Sequence, residues 1–463
     1  MLNKILFKKI ELWLLLTFVI IALVSAVLFG WIVKRVALGG SKPGVIGEMA
    51  FAVASFPSDV LLLVRGADKD GLPTDYVSSG LIALYELDKY ESVVPGEKYG
   101  PKFIATEKAK DLQPLTVQTR YNLEGDELIA VFDGDRKLVK TLPLKPESMI
   151  EEVPALIGAS PHHFFDDGSY LVWPYGGAGL YRMDPCGNVV WKQDGLYHHH
   201  FSVVDGKLYL LGLPSNEILE DDQKKWNHTE IINVIDIESG DILRSIRIEE
   251  IAKTNLPDFD PFFYKKWTNK LDKKGRLRRD FLHPNKIDVL PAEMKDQYPT
   301  LPEGAMMVSM RNVNLVFVMD PETLKIVWYS HGHTQLQHDP KFIGDNKISV
   351  FNNSYDGNSD DKEDPSNFTS IRNYDFGTEK WTTRYNAKAI NGFTEFGGNF
   401  DISDGGNLVL NIALQGRVVE IAPDGEVLFE FISTKDDDEV YWGKGREYIS
   451  PSTLDILMKT QCN

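Results

Sequence analysis

The sequence predicts an all-β protein, a β-propeller carried behind an N-terminal transmembrane helix. Three observations predict it. Short β-rich runs recur through most of the chain, broken by Asp-Gly, Asn-Gly and Gly-Gly turns. A loose hairpin unit repeats among them, as expected of radial architectures. Ahead of both lies a single uncharged apolar segment, residues 12–33.

The elements follow in chain order. Lys4, Lys8 and Lys9 precede the apolar run Leu12–Val33, which Lys34 and Arg35 close. A bilayer core needs about 20 apolar residues, so the run suits a single-pass signal-anchor. The chain then divides into a short cytoplasmic N-terminus (1–11), the span (12–33), a linker (34–50) and the propeller (51–463). A cleaved signal peptide is the alternative, because Val24-Ser25-Ala26 has the small-x-small pattern of a cleavage site. Either reading puts the propeller outside the cytoplasm, membrane-anchored in the first case. Lysines and arginines flank the run on both sides, so charge alone does not orient it.

Strands are expected at Leu128–Phe132, Gly168–Pro174, Lys207–Leu213, Met306–Met310, Leu324–Tyr329, Lys347–Phe351 and Asn407–Ile412. Helical patterning is confined to Ser148–Ile157, interrupted by Pro154, and Ile246–Lys253. The repeating unit spans Leu180–Trp191, Ile232–Leu243, Val316–Trp328 and Val419–Phe429. Each copy is an apolar strand, a turn bearing Asp or Pro, and a second strand. Such hairpins form the outer part of a four-stranded propeller blade. An array of β-sandwiches with the same turns is the competing architecture. Two stretches read as insertions, the basic Asn255–Asp280 and the acidic Asn353–Asn367. Within the second, Asp356-Gly-Asn358-Ser-Asp360 lacks the sixth-position Gly and twelfth-position Glu of a calcium loop, and reads as a solvated loop.

A net charge of −17 with a pI near 5.1 argues against nucleic acid as a partner, which requires a basic face. The two cysteines, Cys186 and Cys462, allow at most one bridge. Without a Cys-x-x-Cys, neither a zinc ribbon nor a c-type haem is expected. No carboxylate–histidine spacing defines a metal sphere, and a quinone-dependent propeller dehydrogenase lacks its vicinal cysteines here. No metal and no cofactor is therefore expected.

The chemistry-bearing residues are mainly histidines. His331, His333 and His338 fall within eight residues, on what reads as a strand-to-strand loop. Such a cluster suits a metal site, acid–base chemistry or a nucleophile. His331 and His333 read as loop residues, and His162 and His163 as surface residues. Four short constellations remain: Tyr197-His198-His199-His200-Phe201, His283-Pro284-Asn285, Ser309-Met310-Arg311-Asn312 and Gln337-His338-Asp339-Pro340.

In this order, with the hairpin Asp320–Trp328 and the closing Phe351-Asn352-Asn353, these motifs resemble the arylsulfate sulfotransferase family. The match is good over roughly residues 160–360. The resemblance implies an exported six-bladed β-propeller that moves a sulfuryl group from an aryl sulfate donor to a phenolic acceptor. It implies transient sulfation of His338, supported by His199, His283 and Arg311. Asn285, Asn312 and His200 share those motifs and are candidate substrate-binding residues. The chemistry is coherent on its own terms. A neutral imidazole nitrogen is a competent nucleophile, and an arginine fork suits three sulfuryl oxygens.

The sequence departs from the family in three places. His-His-His replaces His-His-Asp, leaving open whether His199 or His200 faces the site. Ser330-His-Gly-His stands where relatives have glycines, and Asn352 stands in place of Asp. A non-catalytic, envelope-anchored propeller acting as a binding scaffold is the rival function. Catalysis requires His199, His283, Arg311 and His338 to converge at one mouth of the axis.

Overall fold

One aspartate starts the outer hairpin in five of the six blades. Asp184 accepts the Cys186 and Asn188 N–H groups at 2.8 and 2.9 Å. Asp236 does the same for Glu238 and Ser239, and Asp320 for Glu322 and Thr323. Asp133 and Asp375, outside the four repeats read from sequence, make the same turn. A carboxylate that accepts two backbone N–H groups fixes the turn locally, which is why the motif recurs.

The computed structural model describes residues 87–120, 127–144, 162–173, 178–213, 230–255, 282–353, 368–436, 440–443 and 445–462, together with Thr17, Ile21 and Ser25. The chain divides into two units. Asp75–Pro257 with Asp280–Asn463 holds the propeller. Met1–Thr74 with Asp258–Arg279 lies outside the described residues apart from those three. Among the described residues no helix is long and apolar enough to cross a membrane. The expected span 12–33, the linker, the helix at Ser148–Ile157 and most of both insertions fall outside them.

Six blades are formed. Blade 1 runs Gly445–Tyr448, Leu115–Arg120, Glu127–Phe132 and Leu138–Pro143. Its first strand comes from the C-terminal end of the chain and the other three from the N-terminal side, so backbone hydrogen bonds close the ring. Blade 2 runs His163–Phe164, Tyr170–Val172, Ala178–Met183 and the first half of Val189–Val204. The second half of that 16-residue strand opens blade 3, followed by Lys207–Leu213, Ile231–Asp236 and Ile242–Arg247. Blade 4 is Pro284–Val289, Met306–Met310, Leu315–Met319 and Ile326–His331; blade 5 is His338–Phe342, Lys347–Asn352, Ser370–Asp375 and Lys380–Asn386. Blade 6 is Asn399–Ile402, Leu408–Ile412, Arg417–Ile421 and Val427–Thr434, extended outward by Gly100–Ala105 and Glu91–Ser92. First strands of neighbouring blades touch one another, which places them around the axis.

The core lies between blades, where sheet faces meet. Phe103, Phe132, Phe429 and Phe431 join blades 6 and 1, and Leu290, Met307, Val318 and Val350 join blades 4 and 5. Middle strands are thus buried on both faces, as in Glu127–Phe132, whereas the outer strand Ile326–His331 alternates. Blades 6 and 1 are also joined by the fully buried Arg136, which donates Nε and Nη2 to Glu420 at 2.6 and 2.8 Å. The two cysteines do form a bridge. Cys186–Cys462 ties the turn of blade 2 to the chain end beyond helix Pro451–Lys459.

Several expectations shift. The strand expected from Leu324 begins at Ile326, because Leu324 (φ +57°) closes the Asp320 turn. The strand expected over Gly168–Pro174 is only Tyr170–Val172, since Gly168 (φ +79°) is still in a turn. The helix expected over Ile246–Lys253 is Ile248–Asn255, because Ile246 pairs with Ile232.

Candidate active site

His338 is not a loop residue. It opens the axial strand of blade 5 and pairs in register with Phe351. Its neighbour Asp339 does not bond it; the Asp339 carboxylate accepts the Phe400 N–H at 3.0 Å instead. The short motifs surround His338 as one buried scaffold. Gln337, fully buried, donates to the Ser309 hydroxyl and to the Met310 and Leu315 carbonyls at 3.1–3.2 Å. The Gln337 carbonyl in turn accepts from Asn285 Nδ2 at 2.8 Å and from the Ser309 hydroxyl at 3.2 Å. Asn314 and Asn352 hold the N–H groups of Leu336 and Gln335. Asn285, a substrate-binding candidate, is thus fully buried and positions the backbone next to His338.

The imidazole is oriented at both nitrogens. Nδ1 lies 2.9 Å from the Leu336 carbonyl and 2.9 Å from Asn353 Oδ1. Asn353 Nδ2 donates to the Thr394 and Gly397 carbonyls, which fixes its amide with the oxygen facing His338. Both Nδ1 partners are acceptors, so Nδ1 carries the hydrogen and Nε2 the lone pair. The Gly397 N–H points at Nε2 from 3.2 Å. Burial, then the Arg311 guanidinium, hold His338 well below the usual histidine range, so it is neutral at physiological pH.

The other motifs arrive beside it. Of the three consecutive histidines, His198 pairs with Glu230 at 2.8 Å and His199 meets His283 edge-to-face at 4.7 Å between ring centres. His200 lies against Asn399, with Nδ2 3.3 Å from its Nε2. His199 is therefore the one that joins His283. Burial and then the His283 ring push it well below the usual histidine range, with His338 also contributing. Burial takes His200 to about 3. The Arg311 N–H donates to the His283 carbonyl at 3.0 Å, and Asn312 Oδ1 accepts from Arg311 Nη1 at 3.1 Å, which steadies the guanidinium. His199, His283, Arg311 and His338 thus share one end of the axis, with Asn312 holding the arginine.

Backbone conformation is part of this arrangement. His199, His283, Leu336 and Asp339 all have φ between +44° and +63°. Left-handed backbone at non-glycine residues costs about 1–3 kcal/mol each and gathers at functional sites. No sequence pattern announces it.

Deeper along the axis lies a set of paired charges. Asp339 faces Lys286 and Lys341 at 3.7 and 3.8 Å and Arg446 at 3.8 Å; Asp401 faces Lys341 and Arg446 at 3.7 and 3.6 Å. Burial would raise the Asp339 carboxyl, but Lys341 and Lys286 hold it below the usual carboxylate range. Among the described residues no group of histidines, cysteines and carboxylates is arranged to hold a metal ion. His331 and His333 stay on the exposed rim. His162, expected at the surface, is buried instead against the Thr116 hydroxyl at 2.7 Å, and His163 pairs with Glu447 at 2.5 Å.

Sequence reasoning missed Asn353, Gly397 and the aromatic residues Phe396 and Trp442 at the mouth. Asn353 stands in the quoted Phe-Asn-Asn motif, but attention fell on Asn352, whose amide serves the Gln335 and Ser370 contacts.

The family model for arylsulfotransferase (ASST) matches residues 163–434, more than half of the chain. No curated protein matches it. Among solved structures, a Bacteroides caccae protein of unknown function is 12% identical, covering 72% of this chain and 98% of that one at a TM-score of 0.43. A catalytically inactive virginiamycin B lyase from Staphylococcus aureus, bound to quinupristin, is 11% identical over 73% and 89% of the two chains, with a TM-score of 0.36. TolB from Acinetobacter baumannii is 11% identical over 71% and 65%, with a TM-score of 0.40. Likenesses this remote carry no argument. On the family match, the chain belongs to the arylsulfotransferase family.

Proposed function

We propose that the protein transfers a sulfuryl group from an aryl sulfate to a phenol through a sulfuryl–His338 intermediate. The observation that carries this reading is the fixed tautomer of a neutral, buried His338: two acceptors hold Nδ1, so the lone pair is on Nε2, where an incoming sulfuryl group would take the place of the Gly397 N–H. In the first half-reaction Nε2 attacks sulfur; the N–S bond forms as the S–O bond to the aryl oxygen breaks, and the phenolate leaves with the electron pair. The Nδ1 hydrogen stays in place, and its two oxygen partners stabilise the positive charge gained by the ring. Arg311 neutralises charge on the sulfuryl oxygens as they spread in the transition state. His283 supplies the proton to the departing oxygen, since burial leaves its neighbour His199 unprotonated. In the second half-reaction the same group takes the proton of the acceptor phenol, whose oxygen displaces Nε2 from sulfur.

We further propose that the propeller works outside the cytoplasm, tethered by residues 12–33. The Cys186–Cys462 disulfide supports an oxidising location.

The test is intact-mass measurement after exposure to 4-nitrophenyl sulfate and rapid quenching. A gain of roughly 80 daltons, for a covalent sulfuryl adduct mapped to His338 and absent from His338→Ala, is expected. A folded wild-type protein that gains no mass and transfers no sulfate from any aryl donor would overturn the reading.

A further inference from the structure

Two aromatic rings lie close to the candidate site, one beside Arg311 and the next against it, and the mechanism above uses neither. Phe396 immediately precedes Gly397, whose N–H points at His338 Nε2 from 3.2 Å. Its ring centre lies 5.8 Å from the Arg311 guanidinium carbon. The ring also meets Trp442 at 5.1 Å and 69°, an edge-to-face contact. Trp442 is 55% exposed. The run is continuous: nucleophile, Gly397, Phe396, Trp442, solvent, with Arg311 beside Phe396.

The exposure of Trp442 is not that of a loose loop. Tyr441 N–H donates to the Ser433 carbonyl at 2.8 Å and Gly443 N–H to the Ala413 carbonyl at 2.9 Å, so the backbone is pinned on both sides of the indole. The Phe396 segment is equally fixed. Asn353 Nδ2 holds the carbonyls of Thr394 and Gly397, and the Thr394 hydroxyl donates to the Phe396 carbonyl at 2.6 Å. Two rings held nearly perpendicular on rigid backbone form a corner. A flat aromatic ring fills such a corner by stacking on one wall while its edge meets the other, whereas an alkyl chain gains only burial.

We propose that Phe396 and Trp442 form the aryl subsite, the wall that holds the ring of the donor and then of the acceptor while its oxygen lies toward His338 and Arg311. The proposal rests on the sulfuryl-transfer reading for what is bound, and on this corner for where. It makes these residues determinants of specificity among aryl groups: two-ring groups are preferred to one-ring groups, because the wall extends outward along the exposed Trp442.

The test uses the full-length protein and two measurements. The first is steady-state kinetics with 4-nitrophenyl sulfate and 2-naphthyl sulfate for wild type, Trp442→Ala and Trp442→Phe. Loss of one ring–ring contact raises KM about three- to tenfold, more for the naphthyl donor, with kcat falling less than KM rises; Trp442→Phe recovers most of the loss. The second is calorimetric binding of 2-naphthol, which needs no turnover. Its affinity falls by the same factor in Trp442→Ala. If KM for both donors and the affinity for 2-naphthol are the same in wild type and Trp442→Ala, the aryl subsite is refuted. If the wild type transfers no sulfate yet binds 2-naphthol in a Trp442-dependent way, the sulfuryl-transfer reading falls and the aryl subsite stands.

Discussion

Asn353→Asp is the sharpest perturbation of the candidate nucleophile, because it changes one atom while keeping shape. Asn353 is fully buried, accepts from His338 Nδ1 at 2.9 Å and donates to two carbonyls at 2.8 and 2.9 Å. In the wild type, burial and then Arg311 hold His338 well below the usual histidine range, so its protonation limits the proposed sulfation step only at lower pH than it would for an ordinary histidine. A carboxylate at position 353 would accept the same Nδ1–H and favour the imidazolium. An opposite charge at this distance moves a titration upward by about 1–3 pH units. The lone pair is then lost at a higher pH than in the wild type, so any acid limb moves upward relative to the wild-type profile. The Thr394 and Gly397 carbonyls also lose their donor, at about 1–3 kcal/mol each. That is tolerable against a typical total of about 5–15 kcal/mol. The assay is single-turnover formation of the sulfuryl adduct, followed by quenched mass measurement from pH 4.5 to 8. Asn353→Ala is the companion, since it loses the same donors without adding charge. Identical pH profiles in wild type and Asn353→Asp, or the same upward shift in Asn353→Ala, would refute the argument.

Three further outcomes are expected. Arg136→Met leaves Glu420 buried without its partner and destabilises the propeller by about 3–5 kcal/mol in urea unfolding; adding Glu420→Leu recovers part of the loss. Cys462→Ser opens a bridge between residues 276 apart in sequence, and lowers stability by about 2–5 kcal/mol; an unchanged melting temperature would mean that the bridge constrains little. Burial holds His162 at about 3, whereas an unfolded histidine titrates near 6.5, so below that pH the unfolded chain binds a proton the fold refuses. Its contribution is present above pH 6.5 and declines toward pH 3, by about 2 kcal/mol at pH 5. Comparing His162→Asn with wild type at pH 7 and pH 5 should show a shallower loss in the variant.

What the sequence discloses follows from range. The outer hairpins were legible because each depends on one aspartate and the few residues after it, as at Asp184, Asp236 and Asp320. Ring closure was not, because it pairs Gln118 with Gly445. The 16-residue strand Val189–Val204 was hidden for another reason. It passes from the edge of one blade to the axis of the next, so its burial pattern changes midway and its histidines read as a loop motif. His338 read as a loop residue because Asp339 and Pro340 follow it, and only the pairing with Phe351 identifies the strand. The roles within the motifs were also out of reach. His198, His199 and His200 are adjacent, yet they turn to Glu230, His283 and Asn399 respectively, and the positive φ at His199 is what separates them. Trp442 and Asn353 lie 104 and 15 residues beyond His338 and join it through space rather than by pattern.

The charges beneath the histidines connect fold to chemistry. The chain carries a net −17, an unfavourable field for an anionic donor. Along the axis the balance differs. Lys286, Lys341 and Arg446 face Asp339, Asp401 and Asp288, three cations against three carboxylates, and burial pushes the Asp288 carboxyl up and the Lys286 ammonium down. Arg311 adds a further positive charge at the mouth. After burial, Lys286 and Arg446 are among the groups that keep His200 unprotonated, and Arg311 does the same for His338. On the proposed reading, the cations that would face a sulfate also add to burial in keeping these imidazoles unprotonated. In the proposed reaction, one arrangement of cations would both draw the donor in and preserve the lone pair that attacks it. A site that recruited the donor by protonating His338 would lose its nucleophile, so in the proposed reaction the positive charge beside it falls to Arg311.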